Sequence, residues 1–303
     1  MEYPLEDKIL HDIAEHIKTV MISSKIKFDQ NNDDKKVILA YMNIVGKRVP
    51  ARKRDVIISN ELYKKIIHKS FPEIGQDIPQ QEVEKIIDLI GHFQSLFQNG
   101  EDINNHLSKE IFSSKRQDIL LNTWNIKHIH LNMREANSKT AMKTNRSEFL
   151  LFCIVENETV YFFDVLRHPK SNEFSSYSFL QIAYNNRWME KLGFMEMDNG
   201  YVPYSLEPKI TDDEMLYCLY SNQINVSFDF LGHGFISVAS GVTSSGDARS
   251  NAYLLQKLIR TVINLSTQMD GYCGYTPISS ERASGAIEYK SNGTVMKHDL
   301  IFD

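Results

Sequence analysis

The stretch EFLLFCIVENETVYFFDVLRH, residues 148–168, decides the fold. Two short runs rich in β-branched and aromatic residues flank Glu156-Asn157-Glu158, which reads as two strands joined by a tight hairpin connection. Immediately upstream, WNIKHIHLN (residues 124–132) alternates apolar and polar residues and reads as a further strand. The intervening MREANSKTAMKTNRS (residues 133–147) has no apolar period and reads as an exposed loop. The spacing predicts residues 126–132, 148–155 and 159–167 as adjacent strands of one antiparallel sheet.

Outward from this centre the texture changes. Toward the N-terminus, Ile9, Ile13, Ile17 and Val20 recur at helical spacing. SNELYKKIIHKSF opens with Ser59 as N-cap and Glu61 in the first turn. PQQEVEKIIDLIGHFQSLFQNG starts at Pro79, ends at Gly100, and lines Val83, Ile86, Ile87, Ile90, Phe93 and Phe97 along one side. INNHLSKEIF suggests one more short helix. Past the sheet, SYSFLQIAYNNRW returns to helical spacing, and INVSFDFLGHGFISVASG gives one or two strands. A long helix follows Asp247, its expected N-cap, with Leu254, Leu255, Leu258, Val262 and Leu265 inward. Asn292-Gly293 suits the type I′ turn of a final hairpin. The expected fold is α+β: a mainly helical region over 1–110, a central antiparallel sheet domain over 111–195, and a C-terminal α+β domain over 196–303.

The 303-residue chain is long enough for more than one core. A hydrophobic content of 42% excludes a disordered chain, and a net charge of −5 excludes a surface basic all over. Cys153, Cys218 and Cys273 are odd in number and far apart, so neither a disulfide framework nor a zinc ribbon is indicated. The acidic, amphipathic start lacks a signal-peptide pattern, and no apolar run is long enough for a bilayer. A cytoplasmic protein without membrane contact is expected. In that compartment the acceptor pattern Asn292-Gly293-Thr294 reads as a turn.

His128 and His130, two apart on a strand, share one face, with Ile129 and Leu131 on the other. Such a pair can merely decorate an exposed strand. It can also accept and donate protons around a phosphate. Along TVYFFDVLRHP, Asp164 stands among large apolar residues and needs a partner, either a histidine of the first strand or backbone and Arg167. Arg134, Lys139, Lys143 and Arg146 make the loop after the first strand basic, which suits a phosphodiester as well as mere solubility. GKRVPARKR, with Lys47, Arg48, Arg52, Lys53 and Arg54, is a second cluster, a loop or strand edge that could guide nucleic acid. A metal site from His128, His130, Asp164 and His168 is conceivable, but no H-E-x-x-H, D-x-D or helical histidine pair completes it; His11 and His16 do not share a helix face. No metal and no cofactor are expected. SGVTSSGDARS lacks the spacings of phosphate loops, and HGFIS lacks a nucleophile elbow.

The segment DILLNTWNIKHIHLN … EFLLFCIVENETVYFFDVLRHP … FLQIAYNNRW resembles a family of uncharacterised bacterial proteins associated with mobile elements, over roughly residues 40–190. That resemblance implies no established activity. The three-strand core with its basic loop is also similar, at fold level, to the small RelE-type ribonuclease toxins, from which this chain departs by its length and acidity. This similarity implies metal-free RNA cleavage, with His128 or His130 as base and Arg134 or Arg167 stabilising the phosphorane. The expected activity is therefore a metal-independent endoribonuclease or related phosphodiesterase in bacterial defence or as a toxin. Its expected catalytic residues are His128, His130 and Asp164, with Arg134, Lys143, Arg146 and Arg167 on RNA. The alternative is a non-catalytic sensor or antitoxin-like protein that binds a protein or nucleic acid, and a metal-dependent hydrolase comes third.

Overall fold

The computed structural model describes residues 4–72, 78–114, 118–132, 147–168, 177–197, 210, 212–230, 233–237, 241–245, 247–277 and 285–300. The architecture is mixed α+β, as expected, but its compact units cut across the three consecutive segments. One unit combines Met1–Gly46, Phe112–Arg116 and Ser250–Asp303; the other combines Lys47–Ile111 and Gln117–Arg249. Apolar stripes at the two ends of the chain cover each other, a pairing that no local pattern announces.

In the first unit, α1 (Leu5–Ser23) buries Ile9, Ile13, Ile17 and Val20, the stripe expected from their spacing. These residues join one core with α2 (Asp34–Lys47) and with Leu258, Val262 and Leu265 of α8 (Arg249–Ser266), the helix that follows α7 (Asp213–Ser221) in the chain. Helix α8 starts two residues after Asp247. A three-stranded sheet ordered β10-β9-β8 completes the unit, from β8 (Gly271–Pro277), β9 (Gly285–Ser291) and β10 (Thr294–Leu300). Between β9 and β10, Asn292 and Gly293 have φ of 51° and 76°, as a type I′ turn requires.

The second unit is built on a four-stranded sheet ordered β1-β4-β3-β2: β1 (Asp55–Ile58), β2 (Lys127–His130), β3 (Phe149–Val155) and β4 (Thr159–Arg167). The three expected strands are adjacent and antiparallel. The sheet is nonetheless mixed, because β1 adds to β4 in parallel. That strand follows GKRVPARKR directly, and Arg54 latches it to the β3–β4 hairpin. Its guanidinium donates to the carbonyls of Glu156 (2.8 Å), Pro50 (2.9 Å) and Arg52 (3.1 Å). Lys47 and Arg54 of the supposed guiding cluster are thus buried.

The continuous apolar run of β3 has both of its faces covered. One face carries Leu150, Phe152 and Ile154 into a core with Phe179 and Ile182 of α6 (Tyr177–Asn185) and with Phe194 and Phe235. Those last two belong to a smaller sheet ordered β5-β7-β6, from β5 (Phe194–Glu196), β6 (Phe228–Phe230) and β7 (His233–Ser237). On the opposite face, Phe162 meets Phe97 edge-on at 5.9 Å. Phe97 lies on α4 (Gln80–Asn99), which runs from Pro79 to Gly100 as its end signals predict and also buries Leu89. Ser59 caps α3 (Asn60–His68), accepting from the Leu62 N–H at 3.0 Å. INNHLSKEIF forms two 3-10 turns rather than one helix, over Asn104–His106 and Lys109–Phe112.

Candidate functional site: a histidine row on a buried sheet face

Directly opposed residues of neighbouring strands project to the same face. His128 opposes Phe152 and His130 opposes Leu150, so both imidazoles lie on the face that carries the aromatic core. The rings form a row. His128 and His130 are 6.1 Å apart, and His130 stacks on His168 at 5.8 Å, with 24° between the planes. Neither strand residue stands out in solvent. His130 is only 7% exposed, and the His128 side chain 11%. Ile129 and Leu131 are buried on the other side, so β2, although an edge strand, is covered on both faces.

The row acquires its carboxylate from a residue that sequence reasoning passed over. Asp118 precedes the short helix α5 (Ile119–Trp124) and caps it, one carboxylate oxygen accepting from the Leu121 N–H at 3.1 Å. Its other oxygen lies 3.6 Å from His128 Nδ1. Trp124 closes the same helix, buried, with its indole N–H donating to the Tyr220 hydroxyl at 3.1 Å. Asn125 then takes φ 57° and turns the chain into β2. An Asp directly before the apolar run Ile119-Leu120-Leu121 is an N-cap signal, which could have marked it. Nothing local shows that the cap faces a histidine.

Burial pushes the His128 imidazole below its ordinary value near 6.5; Asp118 opposes this, and the neighbouring charges of His168 and Lys127 add to it. His128 is therefore neutral near pH 7 and suited to accept a proton. A depressed imidazole means that the unfolded chain binds more protons than the folded one in the acidic range. The stability contributed by neutral His128 is whole above about pH 6.5 and declines as pH falls from there toward the lowered folded-state value. Urea melts from pH 7.5 to 5 should show this decline, and His128→Gln should flatten it.

Asp164 lies elsewhere. It opposes Phe152 on β4, so β3 separates it from β2 and from His128 by two strand spacings, roughly 10 Å. Its partner is Lys65 of α3, whose ammonium donates to both carboxylate oxygens at 2.9 and 2.7 Å; the Val165 N–H adds a third bond at 2.8 Å. Both side chains are nearly inaccessible, at 11% for Lys65 and 5% for Asp164. A bulge shifts the β3–β4 register at Phe152/Cys153, so that Asp164 opposes Phe152 while Phe162 opposes Cys153. Strict alternation put Phe162 and Asp164 on one face; the bulge puts them on opposite ones. Arg167, the other anticipated partner, pairs instead with Glu148 at 3.0 Å.

The strand hides a second unusual group. Lys127 is buried opposite Cys153. Burial brings its ammonium down to about 8, and the Cys153 thiol is pushed up to about 12 by the same cause. The cysteine is therefore an inert thiol near neutral pH.

Arg134, Lys139, Lys143 and Arg146 lie outside the described residues. Among the described residues, His128, His130 and His168 do not converge with a carboxylate into a metal-sized cluster; His11, Glu15 and Asp34 do. His11 and Glu15 stand one turn apart on α1, a pairing that no histidine-only motif marks. No helix among the described residues is long and apolar enough to cross a membrane. No family model matches the chain, and neither the curated proteins nor the solved structures include a match.

Proposed function

We propose that the histidine row is the acid/base centre of a metal-independent endoribonuclease or related phosphodiesterase. The observation that carries this reading is the sequence of groups Asp118, His128, His130 and His168, in which a neutral imidazole beside a carboxylate is followed at ring-contact distances by two more. RNA carries its own nucleophile, the 2′-hydroxyl, so two imidazoles suffice for the chemistry. His128 takes the 2′-hydroxyl proton and the 2′-oxygen attacks phosphorus. The bond to the 5′-oxygen breaks, and a protonated imidazole of His130 or His168 gives that oxygen its proton. The products are a 2′,3′-cyclic phosphate and a 5′-hydroxyl. Arg134, Lys143 and Arg146, in the segment that joins β2 to β3, would hold the phosphates, with Arg167 at the far end of β4. Asp164 belongs in this reading to the framework, because Lys65 already neutralises it. The resemblance to RelE-type toxins supports a toxin or defence setting in the cytoplasm.

A non-catalytic binding protein is the second reading, favoured by the burial of His130 and by the satisfied Lys65–Asp164 pair. The two separate on substrate. Incubated with EDTA, the protein should cut single-stranded RNA and leave DNA of the same sequence intact. RNA that is bound but uncut would favour the second reading.

A further inference from the structure

His11 and Glu15 are four residues apart on α1 and therefore share a face. Asp34 opens α2. One ligand atom from each of the three lies within 4.8 Å of the other two, and His11 Nδ1 is 3.1 Å from Asp34 Oδ2.

We infer that His11, Glu15 and Asp34 form a binding site for a divalent cation of the zinc class. One imidazole nitrogen and two carboxylate oxygens are the donor set that such borderline cations take, and that magnesium and calcium do not favour. Around a tetrahedral zinc, donors at about 2.0–2.2 Å from the ion stand roughly 3.3 Å apart. The His11–Asp34 contact already has that spacing, and Glu15 reaches it by a change of side-chain rotamer. The rotation is open to it, since the Glu15 side chain is 52% exposed and that of His11 is 57% exposed. Lys18, whose ammonium is 2.6 Å from Glu15, supplies positive charge there at present and must swing away. Water would complete the coordination. A bound ion would clip α1 to the start of α2 across the polar turn that joins them, and would stabilise the folded chain without taking part in the proposed cleavage.

The full chain, stripped with chelator and dialysed against zinc chloride, tests this. Wild-type protein should take up about one zinc per chain. His11→Ala, Glu15→Gln and Asp34→Asn should each lose it, whereas His128→Gln combined with His130→Gln should retain it. Zinc should raise the melting temperature of wild type and of the His128/His130 variant but not of the three ligand variants. Lys18→Met, freed of its competing charge, should bind more tightly than wild type. The three ligand variants change exposed or half-exposed side chains, so far-UV circular dichroism should show them folded. Absence of saturable zinc binding by wild type overturns the inference, and so does zinc that persists in all three ligand variants.

Discussion

Lys65→Ala should destabilise the protein by about 3–5 kcal/mol, the usual cost of breaking a buried ion pair from one side. The ammonium donates to both oxygens of Asp164, and that carboxylate lies on a covered sheet face beside Phe152 and Phe163. Removing the cation leaves a charge that low-dielectric surroundings solvate poorly, although the Val165 N–H still donates to it. Asp164→Asn should cost less, since an amide needs no counterion. Lys65→Met with Asp164→Leu should recover most of the loss, because desolvating two charges consumes much of their mutual attraction. Urea midpoints of the four proteins decide the matter. A loss below about 1 kcal/mol for Lys65→Ala, the range of surface pairs, would mean that the carboxylate reaches solvent.

The second large effect is on rate. His128→Gln should lower RNA cleavage by about a hundredfold or more, the usual contribution of a general base. His130→Gln should cost a comparable factor if it passes the proton to the leaving oxygen. On an exposed strand face the double alanine variant would be nearly neutral for stability. The burial of both imidazoles changes that expectation. His128→Ala with His130→Ala opens a cavity beside Phe152 and should cost about 2 kcal/mol or more. Glutamine, closer in volume and still polar, keeps the face filled and separates loss of chemistry from loss of fold. The check is cleavage rate beside the urea midpoint for each variant. A glutamine variant with its stability intact and its rate undiminished would remove His128 from the mechanism.

What the sequence made legible was local. Pro79 and Gly100 bracket α4 because one needs no helical N–H and the other accepts the left-handed φ of 77°. Ser59 caps α3, and Asn292-Gly293 turns the last hairpin, for equally local reasons. FLLFCIV could be read as a strand because a continuous apolar run of that length is covered on both faces. What stayed hidden depends on partners distant in sequence. Asp55–Ile58 is four residues long and becomes a strand only by pairing with β4, about a hundred residues later. The bulge at Phe152/Cys153 reverses the face of Asp164, and Lys65 finds that carboxylate from a helix whose own pattern says only that lysine is polar. The need for a partner was legible at Asp164; the identity of the partner was not. At the candidate site, the shared face of His128 and His130 followed from a period of two, whereas Asp118, the stacking of His168 and the burial of the row are products of the tertiary fold.

The chemical ends of RNA fragments test the acid/base reading most directly. A 5′-labelled RNA incubated with the purified protein in EDTA, then analysed by mass, reports which bond broke and which oxygen attacked. Attack by the 2′-oxygen, with His128 as base, predicts fragments ending in a 2′,3′-cyclic phosphate followed by fragments beginning with a 5′-hydroxyl. A single 2′-deoxy substitution at the cleaved position should abolish that cut. Fragments carrying a 3′-hydroxyl and a 5′-phosphate, or RNA that stays whole at any protein concentration, would contradict it.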